Sequence, residues 1–250
     1  MTKFQKKTTS LILIVLFILI GIHYRMISNV DADSVSAIVS PIKHDKPIYF
    51  TFDMDMTKSM YARYEKDKTK KYYDPNLITY LEDNNIGATF YVSGLFVKAY
   101  PDLIKEMAKN DKFSFQNHGY DESSFVPNCY WLQTLTSDKE KIDQINDTQK
   151  IVAETTGQTP VYFRYPGICH DQKNDKLVEG TGMKIDNGTI IPSDPFNHDV
   201  KKMSKIILDQ AKDEAVVIMH AGGKNAPKSL EVLKEVIPKL QSKGYDFIKM

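Results

Sequence analysis

Residues 48–57 read Ile48-Tyr49-Phe50-Thr51-Phe52-Asp53-Met54-Asp55-Met56-Thr57, an apolar run that ends in two carboxylates. Aromatic and β-branched residues without clean polar alternation predict a strand over Ile48–Phe52, buried on both faces. A strand of that kind belongs to a parallel sheet, and parallel sheets gather their chemistry at the carboxyl ends of the strands. Asp53 stands at such an end.

The same pattern recurs downstream. Strands are predicted over Gly87–Val92, Phe113–Phe115, Val161–Phe163 and Ala215–Met219, with Asp246–Lys249 as the last. Between them, helices are predicted from Asp74-Pro75 to Glu82, over Asp102–Lys109, Ser137–Thr155 and Ser229–Leu240, with another starting at His198. Repeated strand-then-helix order implies an α/β fold on a parallel sheet, open or closed into a barrel. Polar residues terminate four of the apolar runs: Asp53, His118, Arg164 and His220. Each alone has a structural explanation as a cap, a paired arginine or a hydrogen-bonded histidine. Four of complementary type at strand ends point to one site.

The chain has 250 residues, enough for one domain with a full core. Apolar residues make up 42% and charged residues 26%, which excludes a disordered or fibrous chain. Lys plus Arg is 33 against 32 Asp plus Glu, so a strongly basic nucleic-acid binder is not expected and no nucleic-acid partner is assigned. Two cysteines are too few for a disulfide-dense scaffold. The lysine-rich stretch Lys66–Lys71 reads as a solvated loop, with an anion site as the alternative.

The N-terminus departs from this average. Lys3, Lys6 and Lys7 precede an unbroken apolar stretch from Leu11 to Ile22, and no acidic residue occurs before Asp31. A basic segment followed by an apolar run is an export signal. With its flanks the run approaches the about 20 residues of a membrane-spanning helix, and no clear small-residue cleavage site follows. Residues 1–25 are therefore expected to be an uncleaved signal anchor, with a cleaved peptide and secretion as the alternative. Residues 26–45 form a polar linker, and 46–250 the globular domain. The domain is expected outside the cytoplasm, tethered to the membrane.

From about Lys46 to Met250 the chain resembles the polysaccharide deacetylases, the NodB-homology group of carbohydrate esterase family four. The family's T-F-D-D-G motif corresponds to Thr51-Phe52-Asp53-Met54-Asp55. Its His-x-x-x-His motif corresponds to Asn117-His118-Gly119-Tyr120-Asp121-Glu122. Arg-x-Pro corresponds to Phe163-Arg164-Tyr165-Pro166-Gly167, the Asp-aromatic motif to Ser193-Asp194-Pro195-Phe196, and Leu-x-His to Ile218-Met219-His220. The resemblance implies a distorted (β/α) barrel preceded by one N-terminal hydrophobic helix. It also implies metal-dependent hydrolysis of N-acetyl groups from a cell-envelope or extracellular glycan.

Two departures fall on the metal site. Met54 stands where the family's ligand Asp aligns, and Glu122 where its second His aligns. A variant branch of the family reads D-A-D-M-T, close to Asp53-Met54-Asp55-Met56-Thr57, so the expected ligands are Asp55, His118 and Glu122. The cation would be Zn²⁺, Mn²⁺ or Co²⁺. One His with two carboxylates leans towards Mn²⁺ or Fe²⁺ without excluding Zn²⁺. By the same resemblance Asp53 is the general base and Arg164 its partner. The backbone N–H of Gly167 faces the oxyanion, and His220 is the general acid, its pKa raised by Asp194.

Cys129 and Cys169 follow the second and third motifs. Outside the cytoplasm they form a disulfide between two cleft loops. Buried free thiols and a cysteine nucleophile are the alternatives. Tyr130 and Trp131 suit a cleft wall that stacks on sugars, or plain core packing. His170 could border the cleft, while His23, His44 and His198 read as surface or capping residues. Besides a structural or regulatory envelope protein that keeps the fold without a glycan cleft, two rival functions stay open. One is an inactive, membrane-tethered glycan-binding homologue with a degenerate metal site. The other is a D-x-D-x-T phosphatase using Asp53 as nucleophile, Asp55 as acid and Mg²⁺, with Asp171 and Asp175 as its later acidic pair.

Overall fold

A computed structural model describes residues 46–250. Among the described residues no helix is long and apolar enough to cross a membrane. The signal anchor and linker expected over residues 1–45 lie outside the described residues.

Seven parallel strands carry the described fold: β1 Pro47–Met54, β2 Ala88–Val92, β3 Phe113–Asn117, β4 Tyr162–Phe163, β5 Lys184–Ile185, β6 Ala215–His220 and β7 Asp246–Phe247. Their order is β5-β4-β3-β2-β1-β6, with β7 pairing the first residues of β1. The chain leaving β5 crosses to the far edge, where Ile190 bridges Val217 of β6. The sheet thus curls into a distorted (β/α) barrel, closed on one side by irregular chain rather than by a full strand. β1 lies next to the β6 edge, flanked by β2 and β6 in one register, so that Asp53 sits beside Tyr91 and His220. The near-unbroken burial of β1, β2, β3 and β6 explains their continuous apolar runs.

The helices pack outside. They are α1 Lys58–Lys66, α2 Pro75–Asp83, α3 Gly94–Ala99, α4 Pro101–Met107, α5 Asp138–Thr156, α6 Gln172–Glu179, α7 Val200–Gln210 and α8 Ser229–Ser242. Local chemistry sets their limits. Asp74 caps α2 with Pro75 at its first position, and Ser137 with Glu140 forms a reciprocal capping box on α5. Gly157 ends α5 in a left-handed conformation. α7 starts at Val200 under an Asp199 cap, two residues past His198.

Three helices escape sequence reading. α1 buries only Met60 and presents no apolar stripe. α3 is buried almost throughout, so it shows no helical period. α6 is short and mainly polar. The last strand is also shorter than expected, two residues rather than four.

Candidate active site

The first, third, fourth and sixth strands end in one cleft of about 450 Å³. At the exit of β1, strand alternation sends Asp53 and Asp55 towards the cleft and Met54 to the opposite side. Met54 is 1% exposed and belongs to the main apolar core. The residue aligned with the family's ligand is thus a core residue here, and Asp55 brings the carboxylate instead.

Beyond β3 the chain turns sharply through residues 118–122. Asn117 holds that turn: its side chain donates to Ile145 O and accepts from the Gly119 N–H. Gln144 Oε1 accepts from the N–H groups of Tyr120 and Asp121. The turn delivers Glu122 back towards His118 with a left-handed φ of 62°, a strained conformation for a non-glycine residue. Four of the seven non-glycine residues with positive φ among those described line this cleft: Glu122, Tyr130, Ile168 and Ser193. Strain is therefore concentrated on its walls.

His118 Nε2 lies 3.5 Å from Asp55 Oδ1, 3.3 Å from Glu122 Oε1 and 3.9 Å from Asp53 Oδ2. Its Nδ1 is 2.9 Å from the Arg164 carbonyl oxygen, which can only accept, so Nδ1 carries a proton and Nε2 is the atom turned to the carboxylates. Asp55, His118 and Glu122 each offer a donor atom within 4.8 Å of the others. Asp55 Oδ1 and Glu122 Oε1 are buried without a hydrogen-bond partner. Buried oxygens left bare are costly, and a cation at their centre would satisfy them. The residues present fit a divalent metal.

The electrostatics agree. Burial, reinforced by the charges of Asp55 and Asp53, pushes the Glu122 carboxyl well above the usual range. Burial also raises Asp55, but the charge and hydrogen bond of His220, with His118 and Arg164, outweigh it and hold Asp55 low. Carboxyl groups this close suppress one another's ionisation in the absence of a cation.

Arg164, wholly buried, anchors the floor. Its Nη1 donates to Asp53 Oδ1 at 2.7 Å and to Thr51 Oγ1 at 2.8 Å. Its Nη2 donates to Asp186 Oδ2, and its Nε to the Asp186 carbonyl. The guanidinium lies 3.8 Å over the Tyr91 ring, whose hydroxyl also donates to Asp186. Burial opposes the arginine's charge, but Asp53, Tyr91 and Asp186 more than offset it and raise its pKa. Asp186 is absent from the sequence-based site. Its signal was a carboxylate following Ile185, as Asp53 follows Phe52, but a two-residue strand is too short to read.

Opposite, His220 Nδ1 lies 2.9 Å from Asp194 Oδ1, and its Nε2 3.3 Å from Asp55 Oδ2. Asp194 Oδ2 also accepts from the His220 N–H and from Ser229 Oγ, which fixes the carboxylate. Burial lowers the imidazolium's stability, yet Asp194 and Asp55 overcome it and raise the His220 pKa well above 6.5. Ser229 is a second residue that sequence reading missed, since it opens α8 and belongs to no motif.

Cys129 and Cys169 are joined in a disulfide, so the free-thiol and nucleophile alternatives fall. It ties the Tyr130 loop to the Gly167 turn. Gly167 has φ 64°, and a Cβ there would lie 2.8 Å from Cys129 Sγ, so no side chain fits. Tyr130, Trp131 and Phe196 form an exposed aromatic cluster on the cleft wall, with Tyr130 stacked on Phe196 at 5.4 Å. His170 does not line the cleft; it pairs with Asp175 and stacks on Tyr165. Asp171 and Asp175 sit at the start of α6, outside the cleft, so the acidic pair of the phosphatase reading is not assembled.

The profile of the family described as polysaccharide deacetylase matches residues 41–185. Peptidoglycan-N-acetylglucosamine deacetylase PgdA of Listeria monocytogenes is 28% identical over 210 residues, 84% of this chain and 39% of that protein. The chain thus spans about two fifths of that relative's length. The structure of peptidoglycan deacetylase PdaC from Bacillus subtilis superposes with a TM-score of 0.62 at 25% identity, covering 85% of this chain and 90% of that one. A CE4 family pseudoenzyme from Bacillus anthracis superposes equally well, with a TM-score of 0.63 at 19% identity, over 83% of this chain and 67% of that one. The fold is therefore common to active and inactive proteins, and activity must be argued from residues.

Proposed function

The chain belongs to the polysaccharide deacetylase family, and on that premise we propose that it hydrolyses N-acetyl groups of an envelope glycan, with peptidoglycan the substrate its relatives favour. One observation carries this over the inactive reading. The two departures from the family pattern leave a complete donor set, with Asp55 Oδ1 and Glu122 Oε1 buried, bare and facing His118 Nε2. A degenerate site would have closed over those atoms or satisfied them within the protein.

Asp55, His118 and Glu122 would hold a divalent cation, whose chemistry there is to acidify a water and polarise the acetyl carbonyl. Asp53, oriented by Arg164 Nη1, accepts the proton of the attacking water at Oδ2. The Gly167 N–H faces the oxygen on which negative charge develops. His220, charged and held by Asp194, gives its Nε2 proton to the departing nitrogen. The products are acetate and a free amino sugar. The basic and apolar N-terminal segment supports placing this domain on the outer face of a membrane, which protease accessibility of intact cells would test.

The direct experiment is acetate release by the full chain in detergent, on N-acetylglucosamine oligomers and on peptidoglycan. The chain is first chelated, then given Zn²⁺, Co²⁺ or Mn²⁺. Release that stops with the chelator and returns with a metal supports the proposal. No release with any metal from folded protein overturns it in favour of glycan binding alone.

A further inference from the structure

Next to the catalytic cleft lies a second groove, of about 650 Å³. The two share seven lining residues, among them Thr57, Glu122, Trp131 and Lys224, so an occupant of one continues into the other. Their charge differs. The cleft gathers Asp53, Asp55, Glu122 and Asp194 with His220 and Lys224. The groove is lined by Lys58, Arg63, Lys70, Lys71 and Lys224 against Asp121 and Glu122. Lys58 is engaged by Asp121 at 2.9 Å and Lys70 by Asp67. Arg63, Lys71 and Lys224 pair with no carboxylate among the described residues. In a chain of net charge +1 this surplus is local. It collects lysines from the Lys66–Lys71 stretch, the α1 helix and the loop after β6 on one wall.

We infer that this groove binds an anionic group, carboxylate or phosphate, carried on the same glycan strand whose acetamido sugar occupies the cleft. The inference rests on the proposed glycan function and adds its specificity. Unpaired cations beside a neutral-sugar cleft attract a strand bearing negative charge and set its register, so that the acetamido group meets Asp53 and His220. Trp131, shared by both cavities and 80% exposed, stands where the strand would pass from one to the other.

Trp131 is the chain's only tryptophan, so its fluorescence reports binding without any turnover. The test titrates the full chain in detergent with three probes. The first is a tetrasaccharide of alternating N-acetylglucosamine and N-acetylmuramic acid with free lactyl carboxylates. The second is its methyl ester, and the third an oligomer of glycerol phosphate. The acid should bind about fivefold tighter than its ester, with the advantage shrinking as salt rises. The double charge reversal Lys71→Glu with Lys224→Glu should erase that ratio, and the milder Lys71→Gln with Lys224→Gln should reduce it. Glycerol phosphate displacing the acid identifies phosphate as an equal occupant; no displacement makes carboxylate the ligand. Equal affinity for acid and ester, or a ratio unmoved by both double variants, overturns the inference. Because the readout is binding, a chain that shows the anion preference yet releases no acetate refutes the deacetylase reading alone.

Discussion

His118 Nδ1 lies 2.9 Å from the carbonyl oxygen of Arg164. This contact joins two devices. The arginine whose side chain orients Asp53 also uses its backbone to set the tautomer of the histidine that faces Asp55 and Glu122. Base and donor set therefore share one rigid floor, formed where β3 and β4 end side by side.

That floor depends on Asp186, the second carboxylate on the Arg164 guanidinium. Asp186→Asn leaves a buried arginine with one compensating charge and should cost about 3 kcal/mol of stability. Urea unfolding of the chelated protein measures that loss. Acetate release should fall with it, because Asp53 loses its fixed position.

Glu122→Gln separates stability from metal binding. The folded Glu122 pKa lies well above its ordinary 4.5, so the native metal-free state holds a proton that the unfolded chain gives up. Stability is then lost as pH rises above about 4.5. Glutamine carries no such penalty, and at neutral pH the chelated variant should unfold at a higher temperature than wild type. Its metal affinity should drop at least about tenfold, as read by competition with a chromophoric chelator. A variant that is both less stable and equally metal-tight would contradict this account.

Asp194→Asn probes the other side. The folded His220 pKa is raised above 6.5, so its charge interaction stabilises the native state fully below that value and is lost as pH rises through the raised one. In chelated protein the variant should lose more stability at about pH 6 than at alkaline pH, where the wild-type imidazolium has given up its proton. In the loaded enzyme, the alkaline limb of the rate profile should move to lower pH.

The Cys129–Cys169 bond closes a loop of 40 residues between two cleft walls. Replacing both cysteines by serine should cost roughly 2–4 kcal/mol. It should also raise KM more than it lowers kcat, since Gly167 and Tyr130 are the groups the bond holds in place. Reductant added to the wild-type protein should reproduce the KM effect.

Much of this site is legible in one dimension because strand ends announce themselves. Asp53, His118, Arg164 and His220 each close an apolar run, and a parallel sheet brings such ends to one rim. Asp55 was expected in place of Met54 from the resemblance to the D-A-D-M-T branch, and the side-chain period of two in a strand is the physical reason that Asp55 faces the cleft. Asp186, Ser229, Thr51 and Tyr91 were not legible as partners. Even Thr51, inside the first motif, shows no sign of its partner, because these roles arise from hydrogen bonds across up to 113 positions of chain.

The sequence by itself determined the parallel α/β architecture, the order of its main elements and the residues at four strand ends, since burial and local chain chemistry act through nearest neighbours and short periods. Only the tertiary structure decided that Glu122 returns to His118, that Arg164 is shared between two carboxylates, and that the lysines of separate segments line one groove. Those relations depend on how the sheet curls and which loops meet at its rim, and no local rule encodes a distance between residues a hundred positions apart.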